Sequence, residues 1–319
     1  MISEKASPRG SQLWRWARRI FITLAILAAI FFLIVVPVAF SYLLTHAGTG
    51  PMDLTITLTP DSLGVPYREV QFVASDGTVL SGWYLPKQNS PAIIIYAHGL
   101  FRSRQEMLER AVALWHRGYA GLLIDLRRHG KSAGQLSGIG YLERLDVAGA
   151  AKFIRDSLQV NTPIVGFGVS MGAAATLLAA AETPELSALI IDSSFLSFES
   201  TVAHHFKLYF GLPRFPIADA LITLVRWKVG FRNEDFDMRR ALEKIGDRPM
   251  LYITGENDVR MPLETARELV AAAQTQRKTL VVIPGATHGA GHRTNPKMYE
   301  QAVIDFLSTL DSSGTKESL

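Results

Sequence analysis

The stretch Pro163-Ile-Val-Gly-Phe-Gly-Val-Ser170-Met-Gly172-Ala-Ala-Ala-Thr-Leu-Leu joins a short apolar run, a Gly-x-Ser-x-Gly turn and an Ala/Leu-rich run. This order predicts a buried strand, a tight turn and a helix, which is the context of a nucleophile elbow. Such a turn lifts the Ser170 hydroxyl above the sheet edge, and Gly168 and Gly172 let strand and helix pass closely. The helix N-terminus would offer free N–H groups to a developing oxyanion. Ser170 is therefore the candidate nucleophile.

A second copy of the pattern, Gly130-Lys-Ser132-Ala-Gly134, follows the apolar run Leu122-Leu-Ile-Asp125. Residues 135–140 have loop composition, and no helical pattern begins there. Because a nucleophile elbow requires strand, turn and helix in that order, we interpret Ser132 as a loop residue.

Composition bounds the class of protein. The chain has 319 residues, of which 48% are hydrophobic and 19% charged, enough for one large α/β domain. The net charge of +4 arises partly at the N-terminus, so no nucleic-acid partner is expected. The absence of cysteine excludes disulfides, thiolate metal sites and a cysteine nucleophile. We expect no cofactor and no metal: His204 and His205 would diverge on a helix, and the glycine spacing at 166–172 departs from a dinucleotide fingerprint.

Residues 20–44 carry no charge and are almost wholly apolar, which predicts a transmembrane anchor. The cations before this segment are Lys5, Arg9, Arg15, Arg18 and Arg19. The first cation after it is Arg68. This bias predicts that residues 1–19 are cytoplasmic and that the remainder is extracytoplasmic. A cleaved signal peptide, with Thr45-His-Ala47 as the cleavage site, and a buried core helix are the alternatives.

Residues 45–67 are rich in Gly, Pro and Thr and are predicted to form a linker. A hairpin around Asp76-Gly77 should open the domain at 68–310, followed by apolar strands that alternate with helices. This order predicts a doubly wound, mostly parallel α/β sheet. An aromatic-rich insertion at about 196–246 is expected to be a helical cap, and residues 311–319 a disordered tail.

Active residues of an open α/β sheet lie at the carboxyl ends of its strands. In this chain Ser170, Asp258 and His288 each follow a predicted strand, in the order expected for this elbow. Glu256 competes with Asp258 for the role of the acid, and His292 competes with His288 for that of the base. His129 and Asp125 are expected to brace the loop after their strand, and His98 and Asp192 are expected to be structural.

The combined motifs are Ala97-His98-Gly99, Asp125-Leu-Arg-Arg-His-Gly130-Lys-Ser132, Gly168-Val-Ser-Met-Gly172, Thr254-Gly-Glu-Asn-Asp258 and Pro284-Gly-Ala-Thr-His288. On these motifs residues 68–310 resemble the α/β-hydrolase superfamily. The chain is most similar to bacterial membrane-anchored members related to the serine aminopeptidase and monoglyceride-lipase-like branch. The resemblance implies a triad of Ser170, Asp258 and His288, and an oxyanion hole from the backbone N–H groups of Leu100 and Met171. Arg128 departs from the family pattern, since many relatives have glycine there.

The sequence thus predicts a single-pass serine hydrolase of the bacterial cell membrane that cleaves carboxylic esters, small or lipid-derived, through an acyl-enzyme. A serine aminopeptidase or amidase is the alternative, because the same triad cleaves amides. A peptidase would need an acid in the cap for the substrate's amino group, for which Glu199, Glu234 and Asp235 are candidates. A catalytically silent anchored binding protein is the third hypothesis.

Overall fold

The computed structural model describes residues 8–313, so the first seven residues and residues 314–319 of the predicted tail lie outside the described part. Residues 311–313, also predicted as tail, continue the last helix instead. Its centre is one eight-stranded sheet. The strands are β1 (Arg68–Val73), β2 (Val79–Leu85), β3 (Ile93–Ala97), β4 (Ala120–Asp125), β5 (Ile164–Val169), β6 (Leu186–Asp192), β7 (Met250–Gly255) and β8 (Lys278–Ile283).

The strand order is β1-β2-β4-β3-β5-β6-β7-β8. Strand β2 is antiparallel to both of its neighbours, and every other pair is parallel. The helices are α1 (Pro8–Ile30), α2 (Val36–Thr45), α3 (Pro51–Leu54), α4 (Leu108–His116), α5 (Arg144–Asp156), α6 (Met171–Ala180), α7 (Phe198–Phe210), α8 (Asp219–Val229), α9 (Met238–Ile245), α10 (Leu263–Ala272), α11 (Gly291–Thr294) and α12 (Pro296–Ser313). The predicted doubly wound, mostly parallel sheet is confirmed.

Helices cover both faces of the sheet because alternate side chains of the central strands point to opposite sides. Along β3, Ile93 and Ile95 pack in the core beneath α5, α6 and the cap. Ile94 and Tyr96 pack in the opposite core, beneath α4 and α12. All five residues of β3 are buried, which explains why this strand reads as a continuous apolar run.

The N-terminal helix is long and apolar. Together α1, the turn Phe31–Val35 and α2 contain a 34-residue stretch, Gln12–Thr45, long and apolar enough to cross a membrane. Pro37 has no N–H to donate, and the turn before it widens to a π-helical turn. Side chains from Leu13 to Val35 are exposed on all sides, as expected for a segment that needs an apolar surrounding.

The segment after the N-terminal apolar helix packs on the sheet domain. The carbonyl of Thr45 accepts a hydrogen bond from Ser137 N (2.8 Å). The guanidinium of Arg128 donates to the carbonyls of His46 (2.9 Å) and Ala47 (3.2 Å). Arg128 has a φ of 65°, a conformation that favours glycine, so a glycine would suit the backbone but would lose this tie to the linker.

The insertion between β6 and β7 forms the cap, which contains α7, α8 and α9. An antiparallel bridge between Ser197 and Asp237 closes its base. Met238 N also donates to the carbonyl of Leu196 (2.8 Å). The insertion leaves the sheet at the carboxyl end of β6 and returns to it at β7, so the cap lies at the edge where the strands end.

Candidate active site

Ser170 stands on a strained turn between β5 and α6. Its φ is 53° and its ψ is −113°, a region that non-glycine residues rarely occupy. Both flanking glycines are required sterically. A Cβ added at Gly172 would lie 2.6 Å from the carbonyl oxygen of His98, and one at Gly168 would lie 2.5 Å from Ala173 N. The sequence folds locally as the elbow prediction requires, and it holds the Ser170 hydroxyl at the carboxyl edge of the sheet.

His288 and Asp258 meet Ser170 at this edge. The Ser170 Oγ lies 2.8 Å from His288 Nε2, and His288 Nδ1 lies 2.8 Å from Asp258 Oδ2. The second oxygen of Asp258 accepts main-chain hydrogen bonds from Arg260 (3.0 Å) and Met261 (2.9 Å). The Asp258 side chain is fully buried and that of His288 nearly so. This arrangement can pass a proton from the serine to the imidazole while the carboxylate holds the ring in place.

The competing residues lie elsewhere. Glu256 accepts a hydrogen bond from Gly285 N (2.9 Å) and is exposed. His292 pairs with Glu300 (3.1 Å) instead of a serine. Ser132 donates to the main-chain oxygen of Asp125 (2.6 Å) and sits in a turn after β4, as its loop interpretation predicts. The structure therefore brings together the favoured residue of each competing pair.

The predicted oxyanion donors, Leu100 and Met171, flank the serine. Met171 is the first residue of α6, so its N–H has no acceptor within the helix. Leu100 belongs to the loop after β3, which passes close to Ser170: a Cβ built on Gly99 would lie 3.6 Å from Ser170 Cβ. The two N–H groups are thus carried by the two segments that border the hydroxyl.

The loop after β3 carries the predicted donor Leu100 and is called here the oxyanion loop. Glu106 fixes this loop, and its role was not predicted from the sequence. Its Oε2 accepts a hydrogen bond from Gly99 N (2.6 Å). Burial raises the pKa of the Glu106 carboxyl, while the Gly99 N–H and the nearby charges of Arg102 and Arg110 act in the opposite direction. The sequence signal that could have indicated this role is a carboxylate on the short helical turn directly after the loop.

A buried polar network supports the His288 loop from below. Arg110 donates to the carbonyl of Gly289 (3.2 Å) and to Tyr299 Oη (3.3 Å). Tyr299 in turn donates to Asp192 Oδ2 (2.7 Å). Ser193 donates to the other oxygen of Asp192 (2.8 Å) and accepts from Gly289 N (3.2 Å). Asp192 therefore has a structural role, in agreement with its interpretation from the sequence, and it braces the His288 loop. Arg110 and Tyr299 carry no sequence pattern that marks this role.

The remaining strand-end residues are structural. His98 is fully buried and accepts from Leu126 N at Nε2 (3.0 Å), and its Nδ1 faces the Gly99 carbonyl (2.7 Å). Burial, together with the adjacent His129, lowers the pKa of His98 well below its ordinary value, so the ring is neutral. Asp125 accepts main-chain hydrogen bonds from Arg104 (2.8 Å) and from Lys131 (2.9 Å). These contacts hold the loops after β3 and β4 together.

The segment 45–67 reaches the site as well. Gly50 N donates to the carbonyl of Phe101 in the oxyanion loop (2.7 Å). Asp53 accepts from Ser103 N (2.7 Å) and pairs with Arg102 (2.9 Å). A cavity of about 300 Å³ opens onto His288 and is partly lined by Ile56, Leu58 and Leu63 of the same segment. The linker therefore contributes a wall next to the candidate base.

The three acidic candidates in the cap are all engaged. Glu199 contacts Asn233 and pairs with Arg214 (3.5 Å). Glu234 and Asp235 both pair with Arg232, at 3.9 Å and 2.9 Å. A carboxylate already held by a guanidinium is a poor receptor for a substrate's amino group, because binding would have to break the existing pair.

Comparisons with known proteins agree with this architecture. A profile of the family described as "Serine aminopeptidase, S33" matches residues 88–216. The uncharacterized protein YqkD of Bacillus subtilis is 24% identical over 239 residues, covering 74% of this chain and 78% of its own. The uncharacterized protein YfhR of Escherichia coli K12 is 28% identical over 249 residues, covering 75% and 80%.

Among solved structures, the Pyrococcus furiosus esterase Pf2001 superposes with a TM-score of 0.68 at 24% identity, covering 82% of this chain and 98% of that chain. The fold of a solved esterase is thus combined with a matching family profile. The chain is a member of the α/β-hydrolase superfamily.

Proposed function

We propose that the protein is a membrane-anchored serine hydrolase that cleaves carboxylic esters through Ser170, His288 and Asp258. The observation that carries the proposal is the continuous chain of hydrogen bonds from Ser170 Oγ through His288 to Asp258, with both distances 2.8 Å. A serine hydroxyl is a poor nucleophile until a base accepts its proton, and this chain supplies that base.

The proposed reaction has two halves. His288 Nε2 takes the Ser170 proton as Oγ attacks the ester carbonyl, and Asp258 stabilises the imidazolium that forms. The N–H groups of Leu100 and Met171 then hold the negative oxygen of the tetrahedral intermediate, and losing one such donor typically costs about 100- to 1,000-fold in rate. His288 returns the proton to the leaving alcohol, and water releases the acyl group from Ser170 by the same steps.

An aminopeptidase is the second candidate, since the matching family profile carries that description. The cap disfavours it. Each of the acids Glu199, Glu234 and Asp235 is already paired with an arginine, so none is free to hold a substrate's amino terminus. An ester needs no such group, and the similarity to an esterase of the same fold points in the same direction.

The anchoring half of the proposal rests on the N-terminal helix. Arg18 and Arg19 lie over the rings of Trp14 and Trp16, at 5.9 Å and 5.8 Å, a combination typical of a membrane interface. The positive charge on this side favours a cytoplasmic N-terminus and an extracytoplasmic catalytic domain. The hydrogen bonds that Thr45, His46 and Ala47 make with the domain favour an uncleaved anchor over a signal peptide.

Hydrolysis by the detergent-solubilised full chain tests the proposal. We expect turnover of a short p-nitrophenyl ester and no turnover of an aminoacyl p-nitroanilide. The ester activity should disappear in Ser170→Ala and persist in Ser132→Ala, the matched serine of the second Gly-x-Ser-x-Gly pattern. Equal activity in all three proteins would contradict the assignment of Ser170, and release of nitroaniline alone would favour the aminopeptidase.

A further inference from the structure

The cap presents unusual apolar surface to solvent. Its helices α7 and α8 form a hairpin whose turn and adjoining faces expose large side chains. The set, named here the cap tip, comprises Leu208, Tyr209, Phe210, Leu212, Phe215 and Trp227. Phe215 and Trp227 are 73% and 79% exposed. Exposed apolar side chains of this size and number mark a surface that meets another apolar phase.

The hairpin lies alongside the anchor. The ring of Phe40 is 6.2 Å from that of Phe206 and 5.9 Å from that of Phe210. Lys228 Nζ donates to Ser41 Oγ (2.9 Å) at the other end of α8. The turn Arg214–Ala218 approaches Phe31–Val35 to within 8 Å between Cα atoms. The hairpin therefore runs back along the anchor from residue 41 to about residue 33.

The position of the anchor fixes the depth of the hairpin. If the hydrocarbon begins after Arg19, a core of about 30 Å at about 1.5 Å per residue is crossed by roughly residue 39. Residues 31–35 then lie about 6–12 Å inside the outer boundary by the same rise per residue. The turn of the cap, packed against them, lies at that depth too, whereas Trp227, next to Lys228, lies close to the boundary.

We propose that the cap tip is a second membrane contact, embedded in the outer leaflet beside the anchor, with the lipid bilayer as its partner. This inference rests on the membrane anchoring proposed above and goes beyond it. The depth matches that of interfacial elements, whose apolar face sinks about 5–10 Å below the headgroups. A bent pair of apolar helices, at 118°, is the shape that enters and leaves one leaflet.

The charges of the hairpin are compatible with this placement. Arg214, the cation nearest the turn, is paired with Asp219 (2.5 Å) and Glu199 (3.5 Å). A paired guanidinium costs less to place near hydrocarbon than a free one, and long basic side chains reach the headgroups. Lys228 lies level with Ser41 at the boundary, where a cation and the adjacent Trp227 are both favoured.

This arrangement places the cap between the sheet domain and the lipid of the outer leaflet. The inner face of the cap is an aromatic cluster in which Phe198, Phe231 and Phe236 pack against one another. Its outer face is the cap tip. An ester that is dissolved in the outer leaflet would therefore meet the cap without crossing water, and the substrate class that fits is a membrane-resident ester.

The absence of cysteine makes a depth measurement direct. Single cysteines replace Phe215 or Trp227, are labelled with an NBD fluorophore, and the full chain is reconstituted into phosphatidylcholine/phosphatidylglycerol vesicles containing doxyl-labelled lipids. Leu33→Cys serves as the probe of the anchor. Val79→Cys, on an exposed position of β2, is the matched control away from the anchor. Retained reactivity with a fluorophosphonate shows that each labelled protein is folded.

We expect an about twofold loss of fluorescence for Phe215→Cys with doxyl groups near the top of the acyl chain, the depth of an interfacial element. Trp227→Cys should be quenched best by a headgroup label, and Val79→Cys by neither. Quenching of Leu33→Cys without quenching of either cap probe would overturn the inference and leave the anchor intact. Failure of Leu33→Cys as well would overturn the anchoring and the inference together. Cap probes that are shielded from water yet unquenched by lipid would point to a second protein copy and would also overturn it.

Discussion

Replacement of Asp258 by asparagine isolates the proton-handling role of the acid. The geometry dictates how the amide must sit. One oxygen of Asp258 accepts N–H groups from Arg260 and Met261, at 3.0 Å and 2.9 Å. Only the amide oxygen of asparagine can accept these bonds, so its NH₂ group must face His288 Nδ1 in place of the carboxylate oxygen. A donor there selects the tautomer that carries its proton on Nε2.

That tautomer cannot accept the Ser170 proton. In a serine protease with the same constellation, the equivalent change lowers kcat about 10⁴-fold while leaving the geometry intact. Because both main-chain hydrogen bonds are kept here, we expect a loss of similar size, about 5.5 kcal/mol of transition-state stabilisation at about 1.4 kcal/mol per factor of ten. The free energy of unfolding should change by no more than about 1 kcal/mol, because the substitution is isosteric.

The assay compares initial rates on a short p-nitrophenyl ester with thermal unfolding of the same preparations. Glu256→Gln is the matched control, because it neutralises the neighbouring exposed carboxylate, which accepts a hydrogen bond from Gly285 N. We expect the control to keep nearly full activity. An Asp258→Asn protein that is within tenfold of wild type, or a Glu256→Gln protein that is equally inactive, would refute the assignment of Asp258.

Three further predictions concern the surroundings of the site. Gly172→Ala places a methyl group 2.6 Å from the carbonyl oxygen of His98. We expect the free energy of unfolding to fall by about 3 kcal/mol and fluorophosphonate labelling to be lost. An unchanged free energy of unfolding would contradict the steric argument. Arg128→Ala and Arg128→Gly both lose the hydrogen bonds to the linker, but only glycine relieves the strain of a φ of 65°. In chemical denaturation the alanine variant should be less stable than the glycine variant by about 1 kcal/mol, and equal stability of the two variants would be inconsistent with strain. The lowered pKa of His98 keeps its ring neutral when folded, whereas the unfolded chain binds a proton below about pH 6.5. The contribution of His98 to stability should therefore be full above that pH and fall as the pH drops, by up to about 1.4 kcal/mol per unit. Unfolding of wild type and His98→Asn from pH 7.5 to 5.5 isolates this contribution, and an identical pH dependence of the two proteins would refute it.

The elbow and the sheet were predictable because their signals are local. The apolar run before Ser170 forms a buried strand. The flanking glycines are needed because the backbone approaches them closely, within a few residues along the chain and from the end of the adjacent strand. The ends of parallel strands share one edge, so Asp258 and His288 could be placed near Ser170 without knowing any distance. The chain order Ser170, Asp258, His288 is the one expected after a nucleophile elbow.

The choice within each competing pair needed turn geometry. Glu256 and Asp258 are two residues apart, and only the turn that points Asp258 Oδ2 at His288 separates them. The residues that support the His288 loop could not be predicted from the sequence for a different reason. Arg110 and Tyr299 are 189 positions apart, and their hydrogen bond exists only once α4 and α12 pack on the same face of the sheet. Neither helix carries a pattern that marks its buried polar residue.

The segment 45–67 shows how composition can understate structure. Gly, Pro and Thr predict a linker, and the segment lies between the N-terminal apolar helix and the sheet domain. Its polar backbone nevertheless finds specific partners, among them Arg128 and the oxyanion loop at Phe101. Such contacts depend on loops that meet only in the folded protein, so no periodicity in the sequence predicts them.

Mapping the covalent adduct of a fluorophosphonate tests the central claim most directly. The full chain in detergent is labelled, digested and analysed by mass spectrometry, with denatured protein as the control for nonspecific reaction. We predict a single modified peptide carrying the adduct on Ser170, formed only by the folded protein and absent in Asp258→Asn at the same exposure. An adduct on Ser132 or on any other residue, or equal labelling of folded and denatured protein, would contradict the account.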